Sequence, residues 1–268
     1  MPSASEVIRR IISGAPKLGE IVSQAQRILD ARNAHKIEST RGTLDNLCLP
    51  KAWDYGTFEK VLVSSAQTSL YPTASPDTIN VEPMSAKIDQ IWQLTEKSGC
   101  EHARTGYVDL PNQRLIYCRY IKKGEESRVM TYWLPPEGRK PSDFSRCFVI
   151  HSHPGSISRD INTSLHFSGD DYKSFLSDPE QGAFYVVTAK NLMMALKTSS
   201  TPRRIEIPTL EARVSSLERE FLSTFYFTDR QYFNANFAFT KTVCLEFGMS
   251  LYLGSERNRN LMERVTIV

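Results

Sequence analysis

Two histidines separated by one residue give the sequence its clearest chemical signal. His151 and His153 directly follow the apolar run Phe148-Val149-Ile150, which is typical of a buried β-strand. Side chains at positions i and i+2 of a strand point to the same side, so both imidazoles face one point in space. Two imidazoles and one carboxylate can hold zinc and leave its fourth tetrahedral position to water, as in catalytic zinc sites. The alternative is two histidines that are simply hydrogen-bonded at a strand end.

A second motif lies downstream, where Ser168-Gly169-Asp170-Asp171 begins a predicted helix. The pattern His-Ser-His-Pro after an apolar strand, followed by Ser-x-x-Asp, resembles the JAMM motif of the JAB/MPN metalloprotease superfamily. The resemblance extends over residues 101–197, and its specific parts are these two short motifs.

The resemblance implies a role for each matching residue. His151, His153 and Asp171 would ligate a zinc ion (Zn²⁺), and Asp171 is implied rather than Asp170 because it is the fourth residue of Ser-x-x-Asp. Ser168 would orient the activated water and stabilise the developing oxyanion. A glutamate upstream of the histidines would serve as the general base.

Glu101 is the candidate for that base. It precedes the predicted strand 106–109 and lies 50 residues before His151 (151 − 101). A solvated carboxylate at a helix end is the alternative interpretation of this residue, and its neighbours Cys100 and His102 are interpreted as bystanders. Weaker candidates for the base lie in predicted loops: Glu125, Glu126 and Glu137.

The sequence departs from the family pattern in two places. Between His153 and Ser168, 14 residues intervene (154 to 167), which is longer than is usual in the family. This segment predicts an extended active-site loop. It also contains Asp160 and His166, and either of them would replace a ligand if the family motif aligned differently with this segment. In addition, the glycine that often follows the glutamate closely is displaced, because Gly106 lies five residues beyond Glu101.

The function implied is a zinc-dependent hydrolase that cleaves a peptide bond or an isopeptide bond, as in ubiquitin-like conjugates, through a metal-activated water. The partner would then be a protein substrate, whose identity the flanking segments do not reveal. A housekeeping peptidase and a bacterial effector delivered into another cell both fit. The alternatives are a non-catalytic JAB/MPN-fold scaffold for protein interactions and a RadC-like, DNA-associated protein.

The elements that must position these residues form an α/β fold, with a mixed β-sheet flanked by helices. Apolar runs such as Phe148-Val149-Ile150 predict central strands covered on both faces, and Gly99 is expected to end a helix over 86–98. Strands are predicted at 106–109, 114–120, 129–133, 146–150, 183–188 and 192–196.

The flanking segments predict three regions. Residues 1–85 form an N-terminal extension, with helices over 4–34 broken near Gly14-Ala15-Pro16 and an irregular connector containing one short strand at 60–63. Residues 86–200 form the JAB/MPN-like core, and residues 201–268 form a C-terminal helical region whose last helix spans 230–252.

Composition excludes several classes of protein. With 33 basic and 30 acidic residues, the net charge of +3 offers no concentrated basic face for nucleic acid. The five cysteines are scattered without a Cys-x-x-Cys pair, so neither a disulfide framework nor a cysteine zinc ribbon is expected. No apolar run is long enough for a membrane span, and the N-terminus lacks the apolar core of a secretory signal. We therefore expect a cytoplasmic protein without a membrane partner, and the oligomeric state stays open.

Overall fold

The structure of the protein is a computed structural model, and one unit of the chain, 49–268, contains all of the described residues. The residues described are 51–73, 75–126, 128–130, 139–155, 157–158, 161–162, 165–189, 191–223, 228–254 and 257–267. The helices predicted over 4–34 and the last three residues of the strand predicted at 129–133 lie outside them.

The described chain alternates between helices and strands. The helices are α1 (Tyr55–Thr68), α2 (Ser85–Ser98), α3 (Gly169–Ser177), α4 (Ile207–Leu222) and α5 (Asp229–Glu246). The strands are β1 (Ala52–Trp53), β2 (Thr78–Asn80), β3 (His102–Asp109), β4 (Arg114–Tyr117), β5 (Lys122–Lys123), β6 (Phe144–Ser152), β7 (Ile157–Ser158), β8 (Ile161–Asn162), β9 (Ala183–Val187), β10 (Leu192–Lys197), β11 (Met249–Gly254) and β12 (Leu261–Arg264).

Ten of these strands form one curled mixed sheet in the order β1-β2-β12-β11-β10-β9-β6-β3-β4, with β5 paired to β3. Strand β6 lies between an antiparallel neighbour, β3, and a parallel neighbour, β9. Strands β7 and β8 form a separate antiparallel pair within the long segment 154–167.

The sheet is covered on both faces, as the apolar runs of β6 and β9 predict. Alternate residues of β6 belong to two different cores: Phe148 and Ile150 to the first, and Val149 to the second. Helices α1 and α2 contribute to the first core, for example through Leu62 and Ile91. Helices α3, α4 and α5 contribute to the second core. The described fold is therefore a mixed sheet between two helical layers, which confirms the predicted α/β class.

The prediction of a strand at 60–63 was wrong, because these residues lie in the middle of α1. Phe58, Val61 and Leu62 are buried at the i, i+3, i+4 spacing of a helix. Asp54 caps the helix by accepting a hydrogen bond from the Thr57 amide at 2.7 Å. The run Lys60-Val61-Leu62-Val63 is rich in strand-forming residues, but its burial in the helix overrides that local preference.

The C-terminal region is not wholly helical, and the predicted helix 230–252 ends at Glu246. Gly248 has a φ of 63°, a conformation that ends the helix and that glycine adopts readily. A Cβ atom on Gly248 would lie 2.6 Å from the backbone oxygen of Ser200, so the close approach also requires glycine. Strand β11 begins at the next residue, and β11 and β12 extend the sheet.

The predicted helix over 86–98 is confirmed as α2. Gly99 ends it with a φ of 66° and donates a backbone hydrogen bond to the Thr95 carbonyl at 2.8 Å. None of the helices among the described residues has the length and apolar character needed to cross a membrane.

Candidate metal centre

The two motif histidines lie at the carboxyl end of β6. His151 is the penultimate residue of the strand, and His153 directly follows its last residue. Their side chains are 2% and 12% exposed, so the sheet and the adjacent helices shield both rings from water. The His151 ring stacks on Phe184 at 4.7 Å between ring centroids and lies near Phe167 at 6.3 Å.

Helix α3 brings the carboxylate to this point. Ser168 is its N-cap and forms a capping box with Asp171, as the Ser-x-x-Asp spacing favours. The Ser168 amide donates to Asp171 Oδ2 at 2.8 Å, and the Asp171 amide donates to Ser168 Oγ at 3.1 Å. Asp170, by contrast, is 93% exposed and pairs with Lys173 on the solvent side of the helix.

Potential ligand atoms of three residues converge. The Nε2 atoms of His151 and His153 are 3.0 Å apart, His151 Nε2 lies 3.4 Å from Asp171 Oδ1, and His153 Nε2 lies 3.5 Å from Asp171 Oδ2. Ligand atoms bound tetrahedrally to zinc at its usual bond lengths lie about 3.4 Å from one another. Among the described residues, these three form the one group of histidine, cysteine or acidic side chains that could share a metal ion, with one ligand atom from each lying within 4.8 Å of the others. The geometry and the donor types therefore fit a zinc ion.

The electrostatics of Asp171 agree with that arrangement. Burial works against ionisation of its carboxyl, but the two imidazoles outweigh burial and hold the pKa of Asp171 well below its ordinary value. The carboxylate is therefore present in its charged form, which is the form that ligates a cation.

Packing rather than a hydrogen bond orients the His151 ring. Its Nδ1 atom is buried and has no hydrogen-bond partner among the residues that the structure describes. A metal-ligating histidine usually donates its second ring nitrogen to a carbonyl or carboxylate. Here the stacked Phe184 and the nearby Phe167 hold the plane of the ring instead.

Glu101 reaches the same site from the start of β3. Its Oε1 atom lies 3.9 Å from His153 Nε2, and its side chain is 8% exposed. The Glu101 amide donates to the Glu125 carbonyl at 2.7 Å, and its own carbonyl accepts from Gly124 at 2.8 Å, which fixes its backbone. Burial raises the pKa of Glu101 to about 7, against the attraction of His153. Glu101 is thus adjacent to the histidines without belonging to the three-residue cluster.

The remaining candidates lie at the edge of the site or outside it. The side chains of Glu125 and Glu126 are exposed, whereas Glu137 and Asp160 lie outside the described residues. The His166 ring contacts the His153 ring at 5.6 Å between centroids and lies 6.2 Å from Tyr232 of α5. His166 therefore borders the site but is not part of the ligand cluster.

The hydrogen bond made by the Ser168 hydroxyl limits which other group this hydroxyl can donate to. Its hydroxyl donates to Asp171 Oδ2 at 2.9 Å, because an ionised carboxylate can only accept. In this conformation Ser168 orients Asp171, and its hydroxyl proton is available to another acceptor only after that bond is released.

A buried polar cluster that the sequence did not predict lies next to these residues. Ser152, between the two histidines, contacts the hydroxyl of Thr95 and the backbone of His102, which the sequence analysis interpreted as a bystander. The available signal was the alternation of the strand: if His151 and His153 face one side, Ser152 must face the other, where a buried hydroxyl needs partners.

Comparison with known proteins adds no relative, since neither a protein-family model, nor a curated protein, nor a solved structure matches this chain.

Proposed function

We propose that this protein is a zinc-dependent hydrolase of the JAMM type, which cleaves a peptide or isopeptide bond. The observation that carries the proposal is the convergence of His151, His153 and Asp171 at separations of 3.0 to 3.5 Å. Three protein ligands of this kind leave one position for water, which distinguishes a catalytic zinc site from a structural one.

The sequence motifs support the same proposal. His-Ser-His-Pro at the end of a buried strand and Ser-x-x-Asp at the start of a helix resemble the two halves of the JAMM motif. A mixed sheet flanked by helices is compatible with the JAB/MPN-like fold that the resemblance implies. The segment 154–167 is longer than the family pattern, and it contains the antiparallel pair of strands β7 and β8.

His151, His153 and Asp171 would hold the zinc ion. Bound there, zinc would lower the pKa of a water molecule toward 7 and polarise the substrate carbonyl.

Glu101 would move the proton. Its carboxylate lies 3.9 Å from His153 Nε2 and so borders the space where the attacking water would bind. It would accept a proton from that water and deliver it to the leaving amine. Ser168 would hold Asp171 in place and, once released from it, would donate to the oxyanion that develops on the substrate carbonyl. An amine leaving group corresponds to a peptide or a lysine isopeptide bond.

A zinc-loaded preparation and its Glu101→Gln variant test the proposal. The probes are isopeptide-linked ubiquitin dimers and a library of unstructured peptides, with the products identified by mass spectrometry. Wild-type protein should contain about one zinc ion per chain and cleave one of these probes. Glu101→Gln should keep its zinc and lose turnover by a factor on the order of 10² to 10⁴, the usual contribution of a positioned acid–base group. Glu126→Gln, which changes an exposed glutamate, is the matched control.

Two outcomes would contradict the proposal in different ways. If wild-type protein contained no zinc after purification and reconstitution, the proposed metal centre itself would be contradicted. Stoichiometric zinc with no cleavage of either probe would favour a metal-stabilised scaffold for protein interactions.

A further inference from the structure

We propose that Ser152 is a positioning residue, which holds the end of β6 and the start of β3 together so that the histidines and Glu101 meet at one place. This inference rests on the proposed zinc site. It concerns a hydroxyl group on the opposite face of the strand from the ligands.

The side chain of Ser152 points away from the metal centre. His151 packs on Phe184 in the second core, whereas Ser152 contacts Thr95 of α2 on the other face of the sheet. Ser152 therefore does not ligate the metal and is not a catalytic residue. It is fully buried, and Thr95 and His102 are 1% and 4% exposed, so water does not compete for their hydrogen bonds.

Ser152 continues the pairing of β3 and β6 beyond the end of the backbone ladder. The register of these strands ends with Ala103 opposite His151. One residue further out, the His102 amide donates to Ser152 Oγ at 2.9 Å, and the hydroxyl lies 3.3 Å from the His102 carbonyl. A side-chain oxygen thus takes the place of the next backbone partner. Because His102 is adjacent to Glu101, this link fixes the base relative to the histidines.

Thr95 connects Ser152 and His102 to helix α2. The Thr95 and Ser152 hydroxyls are hydrogen-bonded to each other, and Thr95 Oγ1 also lies 3.2 Å from His102 Nδ1. The Nδ1 atom of His102 donates to the Cys100 carbonyl at 3.0 Å, because a carbonyl can only accept. Helix α2, β3 and β6 therefore meet in one buried set of hydrogen bonds directly behind the ligands.

The experiment measures zinc affinity by competition with a chromophoric chelator, using zinc as the only ligand. Residues that orient metal ligands typically change affinity by 10- to 100-fold when they are replaced, and we expect a loss on that order for Ser152→Ala. Thr95→Val keeps the shape of the side chain and removes its hydroxyl, so it should weaken binding in the same direction. The double variant should bind no more weakly than the weaker single variant, because both changes break the same link.

Two controls separate positioning from general loss of stability. Ser152→Thr keeps the hydroxyl and should retain most of the affinity. Ser145→Ala removes a buried serine at the other end of β6 and should leave zinc affinity unchanged, whatever its effect on melting temperature. Cobalt(II) provides a spectroscopic signature, since its visible bands depend on coordination geometry. These bands should change in Ser152→Ala and stay as in wild type in Ser145→Ala.

The possible failures are distinguishable. If wild type binds zinc and both Ser152→Ala and Thr95→Val bind it equally well with unchanged cobalt spectra, this inference is overturned and the proposed metal site stands. If Ser152→Ala does not fold, Thr95→Val alone decides in the same way. Wild-type protein that binds no zinc would overturn the proposed function and this inference together.

Discussion

Two buried charged regions lie at opposite ends of α3, and they differ in how their charges are matched. At the amino-terminal end, Asp171 faces the imidazoles of His151 and His153. At the carboxyl-terminal end, the buried Lys197 of β10 donates through Nζ to the backbone carbonyl of Phe175 at 2.7 Å and to that of Asp178 at 2.6 Å. An anion at the start of a helix suits the helix dipole, and so does Lys197 at its end when the lysine is protonated.

The two regions differ in the groups that surround the buried side chain. The amino group of Lys197 donates to two carbonyl acceptors and also lies 4.5 Å from the ring centroid of Phe175, so the protein itself supplies its hydrogen-bond partners. At the other end, the side chains of three residues that can each donate a lone pair to a cation face one another. Burial of a titratable group therefore does not by itself indicate a functional site, because its partners can all come from the protein.

The largest effect is expected from removing the histidines. His151→Ala/His153→Ala should abolish zinc binding while the protein stays folded, because the two rings lie at a strand end and most of the core lies elsewhere. Zinc content by atomic absorption and the circular dichroism spectrum measure the two parts of this prediction. His166→Ala is the matched control, since His166 borders the site without belonging to the cluster. Undiminished zinc in the double variant would place the metal elsewhere.

The two adjacent aspartates sharpen the assignment at the same end of α3. Asp171→Asn removes a charged ligand atom and should weaken zinc binding by more than the 10- to 100-fold that is typical of supporting residues. Asp170→Asn should have no effect on affinity, because Asp170 is 93% exposed on the other side of the helix. Chelator competition on the two variants measures the contrast, and equal affinities would show that Asp171 is not a ligand.

Local sequence patterns predicted the elements that build the site. The apolar runs of β6, β9 and β10 and the glycine at the end of α2 are local signals, and the corresponding elements were confirmed. The i, i+2 spacing of the histidines and the Ser-x-x-Asp spacing also depend only on neighbouring residues, and the structure brings these side chains together.

The missed features depend on residues far apart in the sequence. Strand β2 has three residues and depends on its pairing with β1 and with β12, which lies over 180 positions later. The contact of Thr95 and His102 with Ser152 likewise requires α2, β3 and β6 to be assembled, so the type of residue alone could not indicate it. Helix α1 was misread because its Val-Leu-Val run has the composition of a strand.

Lys197 predicts a pH dependence of stability at the other end of α3. Burial lowers the pKa of Lys197 to about 7, against the attraction of Asp178 and with smaller effects of Arg203 and Arg146. The unfolded chain keeps a lysine pKa near 10.4. Between these values the unfolded state binds a proton that the folded state lacks, so the contribution of Lys197 to stability rises with pH and is lost as the pH falls toward 7.

Lys197→Met, which keeps the aliphatic chain, isolates this contribution. The free energy of unfolding of wild type relative to Lys197→Met should increase by about 2 kcal/mol between pH 7.5 and 9, since one proton contributes at most about 1.4 kcal/mol per pH unit. Urea unfolding at several pH values measures it, and zinc stoichiometry should be unchanged. A difference that stays constant with pH would mean that Lys197 remains charged in the folded protein.

The smallest expected effect concerns the carboxylate that supports the amino-terminal end of α3. Glu218 of α4 accepts a hydrogen bond from the Gly169 amide at 3.4 Å, next to the Ser168 cap. A Cβ atom on residue 169 would lie 2.5 Å from Glu218 Oε2, so glycine permits this approach. Glu218→Gln removes a negative charge from the positive end of the helix dipole, which should lower the free energy of unfolding by about 0.3 to 1 kcal/mol.

The same change offers a quantitative test of how tightly the end of α3 is coupled to the metal centre. Glu220→Gln, in the last turn of α4, is the control, because a negative charge near a helix carboxyl end is unfavourable and its removal should not lower stability. Glu218→Gln should reduce zinc affinity only slightly, since Ser168 and the two histidines still hold Asp171. A loss of affinity as large as that of Asp171→Asn would mean that Glu218, rather than the capping box, fixes the ligand.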